Sequence, residues 1–230
     1  MSDEDVGFHG HRQRLRDRFM RSEGRDMADY EALELLLTYA IPRKDVKPIA
    51  KDLVRRFGNF AKVISEPVEK LIEIDGIKES SAVLIKFVEF AAKKLSWQNL
   101  AFEDSPFISS TDALIEFCRC SMGYNDVEVF RLIYLDAKLK IIATEILQKG
   151  SVSSVTISAR DVVTSALRKN AVGVIMVHNH PTGDPRPSKN DIEATKKVRD
   201  ACETVGIRLY EHIIITPSDY YSFAEHHLVV

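Results

Sequence analysis

The segment that most constrains this chain is the short apolar run from Val172 to Val177, bounded by turn residues and ending in His178-Asn179-His180-Pro181. Such a run is the mark of a buried strand. A buried strand needs partners, and the surrounding sequence offers them. Val129 to Asp136 reads as one strand, and Ile141 to Leu147 as a second after a turn near Ala137-Lys138. Ile207 to Ile215 reads as another. Helices alternate with these: Asp112 to Met122, a segment capped by Ser158 that runs to Asn170, and about Ser188 to Val205, closed by Gly206. Pro217 to Phe223 is expected to start a short terminal helix. The second half of the chain is therefore expected to be α/β.

The first ~95 residues carry a different pattern, that of short helices only. An apolar stripe follows a capping candidate at Asp26 or Asp29 and ends before Pro42. Lys47 to Phe57 repeats it and stops at Gly58; Pro67 opens a short helix that breaks at Asp75-Gly76. Ala82 to Leu95 is the last, with Val83, Phe87, Phe90 and Ala91 at helical spacing. Periodicity then fails. The spacing predicts a helical domain over 1–96, a linker over 97–106 and an α/β domain over 107–230.

Composition matters mainly for what it excludes. Apolar stretches such as Ala171 to Val177 are too short to span a bilayer, and the N-terminus has no apolar core of a signal peptide. Three cysteines, Cys118, Cys120 and Cys202, make no disulfide framework, and a cytoplasmic location is expected. The net charge of -2 denies the chain the global signature of a nucleic-acid binder. Any role on DNA must rest on local patches.

The strand end at His178 carries the chemistry. Residues i and i+2 of an extended chain point the same way, so both imidazoles leave the strand on one side. Ser188 and Asp191, three residues apart, share one face of the following helix. The whole reads His-x-His-x7-Ser-x2-Asp, the His/carboxylate ligand set of catalytic zinc sites with a position left for water. A metal there would lower the pKa of water from ~15.7 to roughly 7. Ser188 followed by Asp191 is also close to the spacing of a capping box. Chance recurrence of the four-position pattern is on the order of one in a thousand. His9-Gly10-His11 has no such continuation.

Hydrolysis also needs a general base. Ile141, Ala143, Glu145 and Leu147 are expected on one strand face, with Glu145 the polar member. A carboxylate on a buried apolar face needs compensation, which a metal site would provide; the alternative is an inward charge guarding an edge strand.

The runs EILQKGSVSS and HNHPTGDPRPSKND resemble the JAB/MPN domain with its JAMM metal motif, and both halves of the chain resemble the bacterial RadC family, long named for DNA repair. The resemblance implies a cytidine-deaminase-like α/β domain acting as a zinc metallopeptidase or isopeptidase on a protein or peptide. It further implies that His178, His180 and Asp191 ligate one Zn2+, that Glu145 is the general base, and that Ser188 donates a hydrogen bond to the oxyanion. Leu71 to Ala82, LIEIDGIKESSA, resembles a helix-hairpin-helix, with Lys78 where a second glycine is usual. With Arg12, Arg14, Arg16, Arg18 and Arg21 upstream, it leads to an expectation of weak DNA binding by the helical domain. An accessory DNA-associated protein is the alternative function. The letters HNH also suggest a nuclease, but in that class the three residues are spread over a ββα element.

Overall fold

The computed structural model describes residues 3–102, 111–150 and 157–228, and the chain divides into two compact units, 1–92 and 93–230. Among the described residues no helix is long and apolar enough to cross a membrane.

The first unit is helical. It contains α1 (Asp3–Ser22), α2 (Asp29–Ala40), α3 (Lys47–Phe57), α4 (Phe60–Ser65), α5 (Val68–Leu71) and the first part of α6 (Glu79–Phe102). Leu33, Leu37, Leu53, Val63, Leu71 and Ile85 are fully buried in its core. Neither expected acidic cap holds α2. Its N-cap is Ala28, whose backbone N–H donates to Glu31, while Asp29 accepts from the Phe60 N–H. The C-terminal end of α2 is closed by Arg12. Its guanidinium donates to the carbonyl of Ile41, the C-cap of α2, and to those of Pro42 and Lys44 in the turn that follows. His11 is likewise structural, 2.6 Å from the buried Glu34 carboxylate.

Two expectations about α6 need correction. The helix continues through residues 97–102, the first part of the expected linker; 103–106 lie outside the described residues. Packing overrides the missing periodicity, because Leu100 is buried in the second unit's core and Trp97 packs on Phe117 at 5.3 Å. The stripe of Val83, Phe87 and Phe90 is exposed, and Ala82 and Ile85 are the buried residues of that segment.

The second unit is a mixed sheet with helices on both faces. Its strands are β1 (Val129–Leu135), β2 (Ile141–Lys149), β3 (Gly173–Asn179), β4 (Arg208–Ile215) and β5 (Tyr220–Ser222), in the order β2-β1-β3-β4-β5. β3 runs antiparallel to β1 and parallel to β4. Every residue of β3 is buried, as its apolar run requires. On one face α8 (Ala159–Arg168) and α9 (Lys189–Thr204) cover Leu132, Met176 and Ile214. On the other, α7 (Thr111–Cys118), extended by a π turn over Arg119–Gly123, covers Ile133, Ile175 and Ile213.

The expected terminal helix is instead β5. A turn in which the Thr216 N–H donates to the Asp219 carbonyl returns the chain along β4. A second difference concerns β2. A register shift between Tyr134 and Leu135 places Ile141 in the opposite core from Ala143 and Leu147, so the expected four-residue face loses its first member.

Candidate metal centre

His178 lies at the C-terminal end of β3 and His180 just beyond it, where its N–H donates to the Ile215 carbonyl at 3.0 Å. Between them Asn179 is fully buried and acts as a clamp. Its Oδ1 accepts from the Val129 N–H at 2.7 Å, and its Nδ2 donates to the Val127 carbonyl at 3.1 Å. Strand end and β1 entry are thereby locked together. The proline-rich loop 181–187 then delivers Ser188 as the N-cap of α9. Ser188 and Asp191 do form the reciprocal capping box: the Asp191 N–H donates to Ser188 Oγ at 3.1 Å, and the Ser188 N–H donates to Asp191 Oδ2 at 2.7 Å. The Ser188 hydroxyl donates to the same Oδ2 at 2.6 Å; Asp191 Oδ1 faces His178, and Oδ2 lies 3.7 Å from His180 Nε2.

The three ligand atoms lie within 4.8 Å of one another, and no other such group of His, Cys, Asp or Glu occurs among the described residues. His178 Nε2 is 3.0 Å from His180 Nε2 and 3.4 Å from Asp191 Oδ1. His180 Nδ1 is 2.8 Å from the Asp184 carbonyl, which can only accept, so Nδ1 carries a proton and, in the neutral ring, Nε2 holds the lone pair. His178 Nδ1 faces His212 Nε2 at 2.8 Å. Two Nε2 atoms this close, beside a carboxylate, are satisfied by a cation or a shared proton between them. The donor set of two imidazoles and one carboxylate fits a divalent ion.

The electrostatics agree. Burial pushes the pKa of His178 down to about 4, so it is neutral at physiological pH. Burial also opposes the charged form of His180, but Asp191, the Asp184 carbonyl and the charge of Glu128 outweigh it and raise its pKa. Burial opposes ionisation of Asp191 as well; the histidines and the Ser188 bonds prevail and hold it far below the usual carboxylate range.

Glu145 lies on the same face of the sheet as His178, two strands away. Its Oε2 accepts from Tyr134 Oη at 2.9 Å and Ser165 Oγ at 3.0 Å, bonds that lower its pKa. Glu145 pairs with Leu132, which pairs with Met176. From strand spacings, its Cα is roughly 12 Å from that of His178. A second carboxylate acts on the ligands, since the charge of Glu128 favours the charged form of His180. Phe130 pairs with His178, and the half-buried Glu128 lies two residues before Phe130 as His180 lies two after His178. Sequence alone could not reveal this, because it depends on which strands pair. His212 was also missed, although a histidine within the apolar run Ile207 to Ile215 was a readable signal. It is fully buried, and burial, then the neighbouring His178, hold its pKa well below the ordinary value.

Comparison with known proteins bears on the same region. A model of the RadC-like JAB domain matches residues 108–228. A UPF0758 protein of Ruegeria pomeroyi is 43% identical over 213 residues, covering 93% of this chain and 94% of the relative. A UPF0758 protein of Rhodobacter capsulatus is 41% identical over 201 residues, covering 87% and 93%.

Proposed function

Since the chain belongs to the RadC family of JAB-domain proteins, we propose that it is a zinc-dependent hydrolase of peptide or isopeptide bonds. The observation that carries this reading is the convergence of His178, His180 and Asp191, with the Nδ1–H of His180 tied off and a carboxylate oxygen aimed at the imidazoles. These three residues would hold the ion. A bound zinc ion would act as a Lewis acid and bring the pKa of water near neutrality.

The chain's own groups supply the rest. Glu128 would take the proton of the attacking water and return it to the leaving amine nitrogen. Glu145 is the alternative base; its place beside Tyr134 and Ser165 supports a bracing role for β2 and α8 instead. The Ser188 hydroxyl, which here orients Asp191, would turn to donate to the oxyanion. Helices on both faces of the mixed sheet support a cytidine-deaminase-like layering. The test is elemental analysis of purified protein together with a peptidase screen against proteins of the same cell. Metal-free protein that takes up no zinc, or loaded protein inert on every substrate, would defeat the reading.

A second reading concerns the helical unit. Gly76 has φ +89° in the turn before α6, and Arg43, Lys44, Lys78 and Ser80 line one groove with it. This supports a helix-hairpin-helix that cradles a phosphate, with Lys78 as the cation. The upstream basic cluster contributes less than its letters promise. Arg12 is spent on the end of α2, and Arg18 pairs with Glu31 at 2.8 Å. The intact protein should therefore bind duplex or branched DNA weakly, with affinity falling steeply as salt rises. No binding at ~50 mM salt, or binding indifferent to salt, would make this unit a protein-docking module instead.

A further inference from the structure

A metal-binding imidazole must present a lone pair, and a neutral histidine in water does not hold a single tautomer. For His180 a backbone carbonyl makes the choice. For His178 the partner is another histidine, which could either donate or accept. The direction of that bond is set farther away, on α9.

Thr195 lies one helical turn after Asp191 and is buried. Its Oγ1 is 2.5 Å from the Asp191 carbonyl oxygen. Two oxygens at that distance need a proton between them, and the carbonyl has none, so the threonine hydroxyl donates. Thr195 Oγ1 is also 2.7 Å from His212 Nδ1. With its proton already given, the hydroxyl can only accept there, so His212 carries its proton on Nδ1. His212 is fully buried, where a second ring proton would leave a charge out of water, so with Nδ1 protonated its Nε2 is an acceptor. The 2.8 Å bond from His178 Nδ1 must accordingly be donated by His178, which leaves the His178 Nε2 lone pair facing Asp191 and His180. Stacking of the His212 ring on Phe223, with centroids 4.5 Å apart, holds the plane of the intermediary.

We propose that Thr195 and His212 are positioning residues: a one-way hydrogen-bond chain, begun at the backbone carbonyl of Asp191, fixes His178 as the Nδ1–H tautomer and presents its Nε2 to the metal. Three residues on three elements thereby become one unit, because the helix that contributes the carboxylate ligand also sets the proton position on the first imidazole ligand. Outer partners of this kind commonly change metal affinity about 10–100-fold. The inference rests on the metal-site reading given above.

The test uses the full chain and the isosteric Thr195→Val, with Thr195→Ala as a second removal should the valine variant not fold and Thr195→Ser as the conservative control. Folding is followed by circular dichroism. The tautomer of His178 is read in metal-free protein from nitrogen-detected histidine NMR, and zinc affinity from competition with a chelating dye. Wild type and Thr195→Ser should show Nδ1–H at His178. The hydroxyl-free variants, folded, should lose that single tautomer and bind zinc about 10–100-fold more weakly. A folded hydroxyl-free variant with wild-type zinc affinity and an unchanged tautomer would overturn the proposal. The two conclusions fail separately. Should wild type hold the tautomer, lose it with the hydroxyl and still take up no zinc, the hydrolase reading falls and the relay stands.

Discussion

Asp191→Asn and His180→Ala are each expected to abolish stoichiometric zinc binding. The candidate site has three protein ligands, and a three-ligand site loses its hold on the ion when one is removed. Asp191→Asn is the sharper variant, because an amide oxygen can still accept from the Ser188 N–H and keep the cap of α9. The fold should therefore survive, with a loss on the order of 1 kcal/mol from the weakened cap. The metal effect should be read in two ways. Elemental analysis should find no stoichiometric zinc in either variant. Zinc at a hundredfold excess over its Kd should stabilise the wild type by about 2.7 kcal/mol and leave both variants where they are. Full metal occupancy in either variant would show that the ligands lie elsewhere.

The second large effect separates two carboxylates that the sequence could not rank. Glu128→Gln should leave zinc content intact and reduce hydrolysis by roughly 10²–10⁴-fold, the usual contribution of a general base. Glu145→Gln should cost far less, since its carboxylate already serves Tyr134 and Ser165. Its effect should appear chiefly as a loss of stability, of about 1 kcal/mol for weakened hydrogen bonds to a charged group. The reverse ranking would restore Glu145 as the base and make Glu128 a bystander. Loss of zinc in Glu128→Gln would make that residue a ligand.

The contrast between these residues shows how far a sequence can be read. His178, His180, Ser188 and Asp191 lie within fourteen consecutive residues, on a strand end, a loop and one helical turn. Their relative placement is governed by local geometry: alternation along a strand and the turn of a helix. Such periodicities are written in the chain. The same holds for the buried strand β3, for the Ser188 cap and for the change from an all-helical to a mixed pattern.

Failures came where distant segments decide. Residues 97–102 lack a helical signal, yet Trp97 and Leu100 find partners in the α/β core and the helix continues. Pro217 to Phe223 looks like a helix start, but the open edge of β4 recruits Tyr220–Ser222 as a strand. Arg12 counts as a surface charge in the sequence and proves to be the cap of another helix.

The local pattern thus determined the candidate metal ligands, the cap that orients one of them and the class of each half of the chain. Tertiary structure alone decided that the charge of Glu128 acts on His180 and what lies behind His178. Glu128 precedes a strand that pairs with β3, and His212 lies behind His178 because β4 runs parallel on the other side. Strand pairing depends on packing summed over the whole sheet, and no short window of sequence contains that sum.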